Sequence, residues 1–135
     1  MGSSISPAEY LRCRIEILES QISQIDEEIA GRTEDHTTMM NALRDAKQTY
    51  VSSLLNPEAL ERLSLGTSFS ERRQRMQQII RGVNTRMFDE VRVYKSFLKS
   101  LNSERRQIER ETEVLRLRLE MLGEPRPASR EEKPI

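Results

Sequence analysis

A seven-residue repeat of apolar side chains, sustained over almost six heptads, constrains this chain more than any other feature. The repeat runs from Leu11 to Ser53, and 10 of its 13 a and d positions are apolar or aromatic. In a chain that is 36% hydrophobic, 13 positions taken at random hold about five such residues. A repeat of this length, flanked by charged and polar residues, is typical of a coiled coil.

A second stretch, 71–122, carries the same alternation of three- and four-residue steps from Ile80 to Leu122. Two steps of four adjoin between Val83 and Val91, which is a stutter that locally unwinds a left-handed supercoil. Gly and Pro are rare within the two stretches and cluster between and beyond them. The fold class predicted from this pattern is all-α, with a long antiparallel two-helix coiled-coil hairpin.

We call the two repeat-bearing stretches, 8–55 and 71–122, the first and second arms. The other residues lie before, between and after them. An N-cap residue, a proline and an acid follow the first arm, and they predict a short bridging helix over 57–65. Residues 1–7 are expected to form a flexible N-terminus. The charged, proline-rich segment 123–135 is expected to be a disordered tail.

The residues expected to pack between the arms are the apolar members of the two repeats. They are Leu11, Ile15, Leu18, Ile22, Ile25, Ile29, Met39 and Leu43 in the first arm, and Val83, Met87, Val91, Tyr94, Leu98, Leu101, Ile108 and Leu115 in the second. A chain reversal near residue 63 places Ile25 opposite Leu101. Gly82 then lies opposite Ala42 to Leu43, where small residues would let the helices approach closely; the alternative is a flexible joint in the second arm.

Two consecutive positions of the first repeat are polar, namely Arg32 and His36. The same reversal places His36 opposite Glu90 and Arg32 opposite Tyr94. A buried polar group fixes the register of a coiled coil at some cost in stability. We interpret Arg32, His36 and Glu90 as a polar register node, with a pH-sensitive or partner-specific contact as the alternative.

The two arms carry net charges of opposite sign. Residues 8–55 hold 5 basic and 9 acidic side chains, whereas residues 71–122 hold 13 basic and 8 acidic ones. Opposite net charges favour pairing of the first arm with the second. The whole chain has 22 basic and 22 acidic residues, and since nucleic-acid-binding domains are usually basic, nucleic acid is not an expected partner.

The sequence offers no pattern for catalysis. One cysteine and one histidine, without a phosphate-binding loop, supply no metal-ligand set and no nucleophile with its base. We expect no enzymatic activity, no catalytic residues, no metal and no cofactor. Because there is no long apolar run and no signal-peptide pattern, the expected location is the cytoplasm.

The predicted function is a structural or adaptor subunit of a larger multiprotein assembly, of a trafficking, secretion or cytoskeletal type. Apolar residues outside the repeats, such as Phe88 and Val114, indicate a second packing face. The expected partners are other protein chains, either helical partners or further copies of this chain.

An alternative function is a peripheral membrane-associated module. The first six residues match the N-myristoylation pattern with Gly2 as the acceptor, although Met-Gly-Ser-Ser is also a common vector-derived start. One myristoyl chain needs a second membrane signal. Arg72, Arg73 and Arg75 form a basic patch that can hold anionic phosphates, and would be that signal.

Overall fold

The computed structural model of the chain describes residues 5–56, 58 and 68–123. These residues are all-α, without a strand: helix α1 spans Pro7–Leu55 and helix α2 spans Phe69–Met121. The helices are 49 and 53 residues long, and they pack against each other. Their ends lie within two residues of the arms predicted from the heptad pattern.

Several predicted features lie outside the described residues. They are Gly2, the bridging helix over 57–65 apart from Glu58, and the tail 123–135 apart from Gly123. At the start of the predicted bridging helix, the Glu58 backbone N–H donates a hydrogen bond of 3.1 Å to the Asn56 side-chain oxygen.

Serine side chains set where both helices begin. The Ser6 hydroxyl accepts a hydrogen bond of 3.1 Å from the Glu9 backbone N–H, and the Ser68 hydroxyl accepts one of 3.2 Å from that of Glu71. Each serine precedes a glutamate by three residues, which is the order of a capping box. Helix α2 stops before Gly123, whose φ of 83° is the left-handed conformation that terminates helices.

The described helices belong to two compact units. The first unit combines Met1–Ile29 with Lys99–Ile135. One buried apolar cluster of this unit joins Leu11 and Ile15 of α1 to Leu119 of α2, with Ala8 and Leu115 packed against it. Burial of such aliphatic side chains is the main favourable contribution to folding.

Ion pairs in the first unit define the direction in which the helices pair. Glu19 contacts Arg116 at 2.7 Å, and Asp26, further along α1, contacts Arg105, which is earlier along α2. As the residue number in these pairs increases along α1, the residue number of the partner decreases along α2. In each pair, the α2 residue lies at least one helical turn further along the chain than the residue that a reversal at residue 63 would place opposite the same α1 residue.

Thr112 shows how a polar residue occupies the buried face of the first unit. It is only 2% exposed, and its hydroxyl donates a hydrogen bond of 2.8 Å to the backbone carbonyl of Ile108. The buried hydroxyl therefore needs no partner on the other helix.

The second unit comprises Ala30–Leu98. Its buried apolar side chains are Met40, Met76 and Val83, and Glu90 is buried with them. The expectation that Met39 packs between the helices is wrong, because Met39 is 47% exposed whereas Met40 is 6% exposed. The other fifteen apolar residues expected between the helices are buried or half-buried.

The error at Met39 has a geometric cause. The side chains turned inward in this part of α1 are Arg32, His36 and Met40, four residues apart, where a strict heptad requires a step of three after His36. A straight α-helix has 3.6 residues per turn, so a strict 3.5-residue repeat drifts off its face unless a four-residue step corrects it. On α2, the repeat predicts that Val91 faces α1, but Val91 is half-buried and the neighbouring Glu90 is buried. With Glu90 in the repeat, the two adjoining four-residue steps fall on either side of Tyr94.

Neither helical glycine supports a close approach of helices. A Cβ atom placed on Gly31 or on Gly82 meets no atom within 4 Å, and both residues are exposed. The expectation that Gly82 permits close packing against Ala42 is therefore wrong.

We predict that Gly82→Ala raises the free energy of unfolding by about 1 kcal/mol, because alanine loses less backbone entropy in a helix. Gly31→Ala should add a similar amount. Urea denaturation followed by circular dichroism measures both changes, and exposed Ala42→Gly is the opposite control, expected to lose about as much. A loss of stability in Gly82→Ala would instead reveal a close contact at that position.

Candidate functional site

A cluster of polar side chains lies between α1 and α2 within the second unit. The Glu90 carboxylate is 9% exposed, and its Oε1 accepts hydrogen bonds from an Arg32 guanidinium nitrogen at 2.7 Å and from His36 Nδ1 at 3.0 Å. Because a carboxylate only accepts hydrogen bonds, Nδ1 of His36 carries the hydrogen of this contact. The predicted pairing of His36 with Glu90 is confirmed.

Tyr94 completes this polar cluster. Its ring stacks on the His36 ring, with centroids 4.0 Å apart and planes inclined by 7°. The Arg32 guanidinium carbon lies 5.5 Å from the same ring centroid, within cation–π range. The Tyr94 hydroxyl and the Thr33 hydroxyl are 2.7 Å apart and share a hydrogen bond. Arg32 faces Tyr94 as predicted, whereas the charged partner of Arg32 is Glu90.

The charges in the polar cluster shift the acidity of its carboxyl group. The hydrogen bond from His36, and next that from Arg32, hold the pKa of Glu90 below its ordinary value of 4.5, against the opposing effect of burial. In the first unit, the hydrogen bond from Arg105 similarly lowers the pKa of Asp26 from 3.8. The Asp26 carboxylate is 51% exposed, so its ion pair is screened by water and adds little stability.

We predict that acid weakens the fold through Glu90. A carboxyl group whose folded pKa lies below its unfolded pKa stabilises the fold fully above the unfolded value. This stabilisation is lost as the pH falls through the folded value. Stability measured by urea denaturation should therefore fall below about pH 4.5, and Glu90→Gln should flatten that decline. Asp26→Asn, which removes an exposed ion pair, is the matched control and should leave most of the decline in place.

An acid-induced decline of equal size in wild type and Glu90→Gln would contradict this assignment of the pH dependence to the polar cluster.

An open groove of about 390 Å³ lies beside the polar cluster in the second unit. It is lined by Met39, Ala42, Leu43, Arg86, Asp89, Glu90 and Val93. Met39 and Val93 are about half exposed, and together with Ala42 and Leu43 they form the apolar part of the lining. The groove therefore gives Met39 a surface position in place of the buried one expected from the heptad.

A second groove, of about 650 Å³, lies in the first unit. It is lined by Arg14 of α1 and by Ser103, Gln107, Arg110, Glu111, Val114, Leu115 and Arg118 of α2. Three arginines and one glutamate give this lining a positive charge. We call it the arginine groove.

The three arginines expected to form a patch at the start of α2 differ in their exposure. Arg72 is half-buried, and its buried Nε has no hydrogen-bond partner, whereas Arg73 and Arg75 are exposed. The three side chains therefore differ in their access to an anion. Arg72 and Arg75 are three residues apart and share a helical face, whereas Arg73 points about 100° away from Arg72.

The remaining features to consider are a cysteine, metal-binding clusters and membrane-spanning helices. Cys13 is an exposed free cysteine. The described residues contain no group of three or more His, Cys, Asp or Glu side chains placed to hold a metal. No helix in the described part of the chain is long and apolar enough to cross a membrane.

Sequence reasoning missed two roles in these sites. Thr33 was not expected in the polar cluster, although it lies three residues before His36 and so shares its helical face. Ser6, read only as part of the myristoylation pattern, is the N-cap of α1. The Ser-Pro-Ala-Glu order at 6–9 carries that signal, since proline favours the first helical position.

Comparisons with protein-family models, curated proteins and solved structures find no match to this chain.

Proposed function

We propose that the chain is a non-enzymatic coiled-coil protein that serves as a structural or adaptor subunit of a larger multiprotein assembly. The observation that supports this most is the set of large apolar side chains left exposed on both helices. Ile17, Phe88, Val93, Val114 and Leu117 are each between 46% and 71% exposed. Single exposed apolar residues are ordinary, but a set along helical faces is typical of protein–protein contacts.

The proposed architecture is an antiparallel coiled-coil hairpin with a bridging helix over 57–65. The opposite order of the Glu19–Arg116 and Asp26–Arg105 contacts supports it within the first unit. In the second unit, the pairing of Arg32 and His36 with one carboxylate supports a role as register node. If one helix slipped along the other, the Glu90 carboxylate would lose both partners and remain buried without them. The shared carboxylate therefore destabilises alternative registers.

Isolation of the tagged full-length chain from cells that express it tests the proposed function. Native mass spectrometry should find the chain bound to other protein chains in fixed stoichiometry. Purified chain, measured over a range of concentrations, distinguishes self-association from binding to other proteins. A chain that stays at its monomer mass of 15.8 kDa in both preparations would contradict the proposal.

The alternative, a membrane-associated module acylated on Gly2, makes a different prediction. Flotation with anionic vesicles should then require both the myristoyl group and Arg73 or Arg75, because one acyl chain alone binds marginally. A myristoylated wild-type chain that floats, beside a Gly2→Ala chain that does not, would favour the membrane function over the assembly function.

A further inference from the structure

The arginines of the first unit differ in how their charges are balanced. Arg105 donates a 2.8 Å hydrogen bond to Asp26 and also pairs with Glu109. Arg116 pairs with Glu19 across the two helices at 2.7 Å. Each of these guanidinium groups therefore has a carboxylate partner on the opposite helix.

The arginine groove contains none of those paired side chains. Its own Arg14, Arg110 and Arg118 are exposed, and none has an ion-pair partner within the described residues. The Arg110 Nε donates only to the backbone carbonyl of Arg106, at 3.3 Å. Glu111 is the only acidic residue in the lining of this groove, beside three arginines. On its other side Arg110 borders Glu109 and Glu113.

An apolar row accompanies this unbalanced charge. Val114 of the groove, then Leu117 and Met121, follow at steps of three and four residues along α2, and they are 48%, 46% and 85% exposed. Steps of three and four place side chains on one helical face. A partner helix that contacts such a row presents its own apolar residues at the same spacing.

We propose that the arginine groove and its apolar row bind an acidic amphipathic helix of another protein chain. The partner would place apolar side chains against Val114 and Leu117, with Asp or Glu beside Arg14, Arg110 and Arg118. Charge complementarity selects an acidic partner over a basic one. This inference rests on the proposed function, because it names the chemistry of the partner that an adaptor subunit would hold.

A second copy of the chain that presents this same groove is a poor occupant of it. A two-fold symmetric contact places the same surface on both partners, which would oppose the arginines of one copy to those of the other. Like charges brought together across an interface are repulsive.

Two designed peptides test the charge preference. Both are helical, with leucines at alternating three- and four-residue steps, and they differ only in flanking glutamates or flanking lysines. In NMR titrations of the full-length chain, the Leu/Glu peptide should bind at least about tenfold more tightly than the Leu/Lys peptide. The largest shifts should fall on Val114 and Leu117, and added salt should weaken the binding.

Charge-reversal variants test the location. Arg110→Glu with Arg118→Glu should weaken binding of the Leu/Glu peptide at least about tenfold. Arg73→Glu with Arg75→Glu makes the same change in net charge outside the groove, and should change binding less than about threefold. Circular dichroism of each variant establishes that its helices are retained.

Three results would overturn the inference: equal binding of both peptides, equal losses in the two double variants, or binding of anionic vesicles through Arg110 and Arg118 without binding of the Leu/Glu peptide.

Native isolation separates this inference from the proposed function. If the Arg110→Glu, Arg118→Glu chain enters the same assembly as wild type, the groove inference is wrong and the proposed function stands. If wild-type chain forms no assembly, the proposed function is wrong whatever the peptide titrations show.

Discussion

Leu18→Ala is expected to lower the free energy of unfolding by about 2–5 kcal/mol. Leu18 is 1% exposed, on the face of α1 that also buries Ile15 and Ile25. Truncation to alanine removes buried methyl and methylene groups and leaves a cavity that two long helices fill only in part. Chemical denaturation at a fixed protein concentration measures the change.

The neighbouring residue provides a matched control. Ile17 is 50% exposed, so Ile17→Ala removes a similar volume from the surface and should change the free energy of unfolding by about 0.5 kcal/mol or less. Equal losses in Leu18→Ala and Ile17→Ala would mean that α1 buries a different face from the one described.

Truncating Glu90 is expected to destabilise the second unit by about 1–3 kcal/mol. Glu90→Ala removes the acceptor shared by Arg32 and His36, which are only 22% and 18% exposed. Two partly buried donors then lose their partner, and water replaces it only in part. Denaturation of Glu90→Ala beside Asp89→Ala, a neighbouring exposed carboxylate, measures the specific effect.

Replacing all three charged residues together should not destabilise the fold. With Arg32, His36 and Glu90 all changed to leucine, no charge is left unpaired, and buried ion networks exchanged for apolar residues are often neutral or stabilising by about 1–4 kcal/mol. The apolar variant should also populate additional registers or oligomers, detectable as several species in native mass spectrometry, because its polar constraint is gone. A triple variant as unstable as Glu90→Ala would contradict this account.

The helices of this chain were predictable because their signals are local and repeated. Apolar residues at alternating three- and four-residue steps, with few glycines or prolines, gave both helices to within two residues of their observed ends. The pairing of His36 with Glu90 followed from simple counting. That counting assumed a reversal near residue 63, which holds for His36 and Glu90 but misses the ion pairs of the first unit by at least one helical turn.

The choice between adjacent methionines was not predictable in the same way. Met39 and Met40 are equally apolar, and their burial depends on where a four-residue step falls in α1. Such a step is decided by packing against α2, through contacts that a single repeat does not encode. The arginine groove was missed for a related reason. Arg14 and Arg118 are 104 positions apart in the sequence, and only the pairing of the helices gives them a common groove.

Disulfide crosslinking tests most directly whether the two helices pair in opposite directions within one chain. In a Cys13→Ser background, Ile15→Cys with Leu119→Cys joins two members of the buried cluster of the first unit. Oxidation at low concentration should give a monomeric internal crosslink, which requires Cα atoms within about 7 Å. Ile15→Cys with Glu111→Cys, the pair given by a reversal at residue 63, is the matched control and should form no internal bond. Disulfides between chains only, in the double variant and in each single variant, would contradict the antiparallel hairpin.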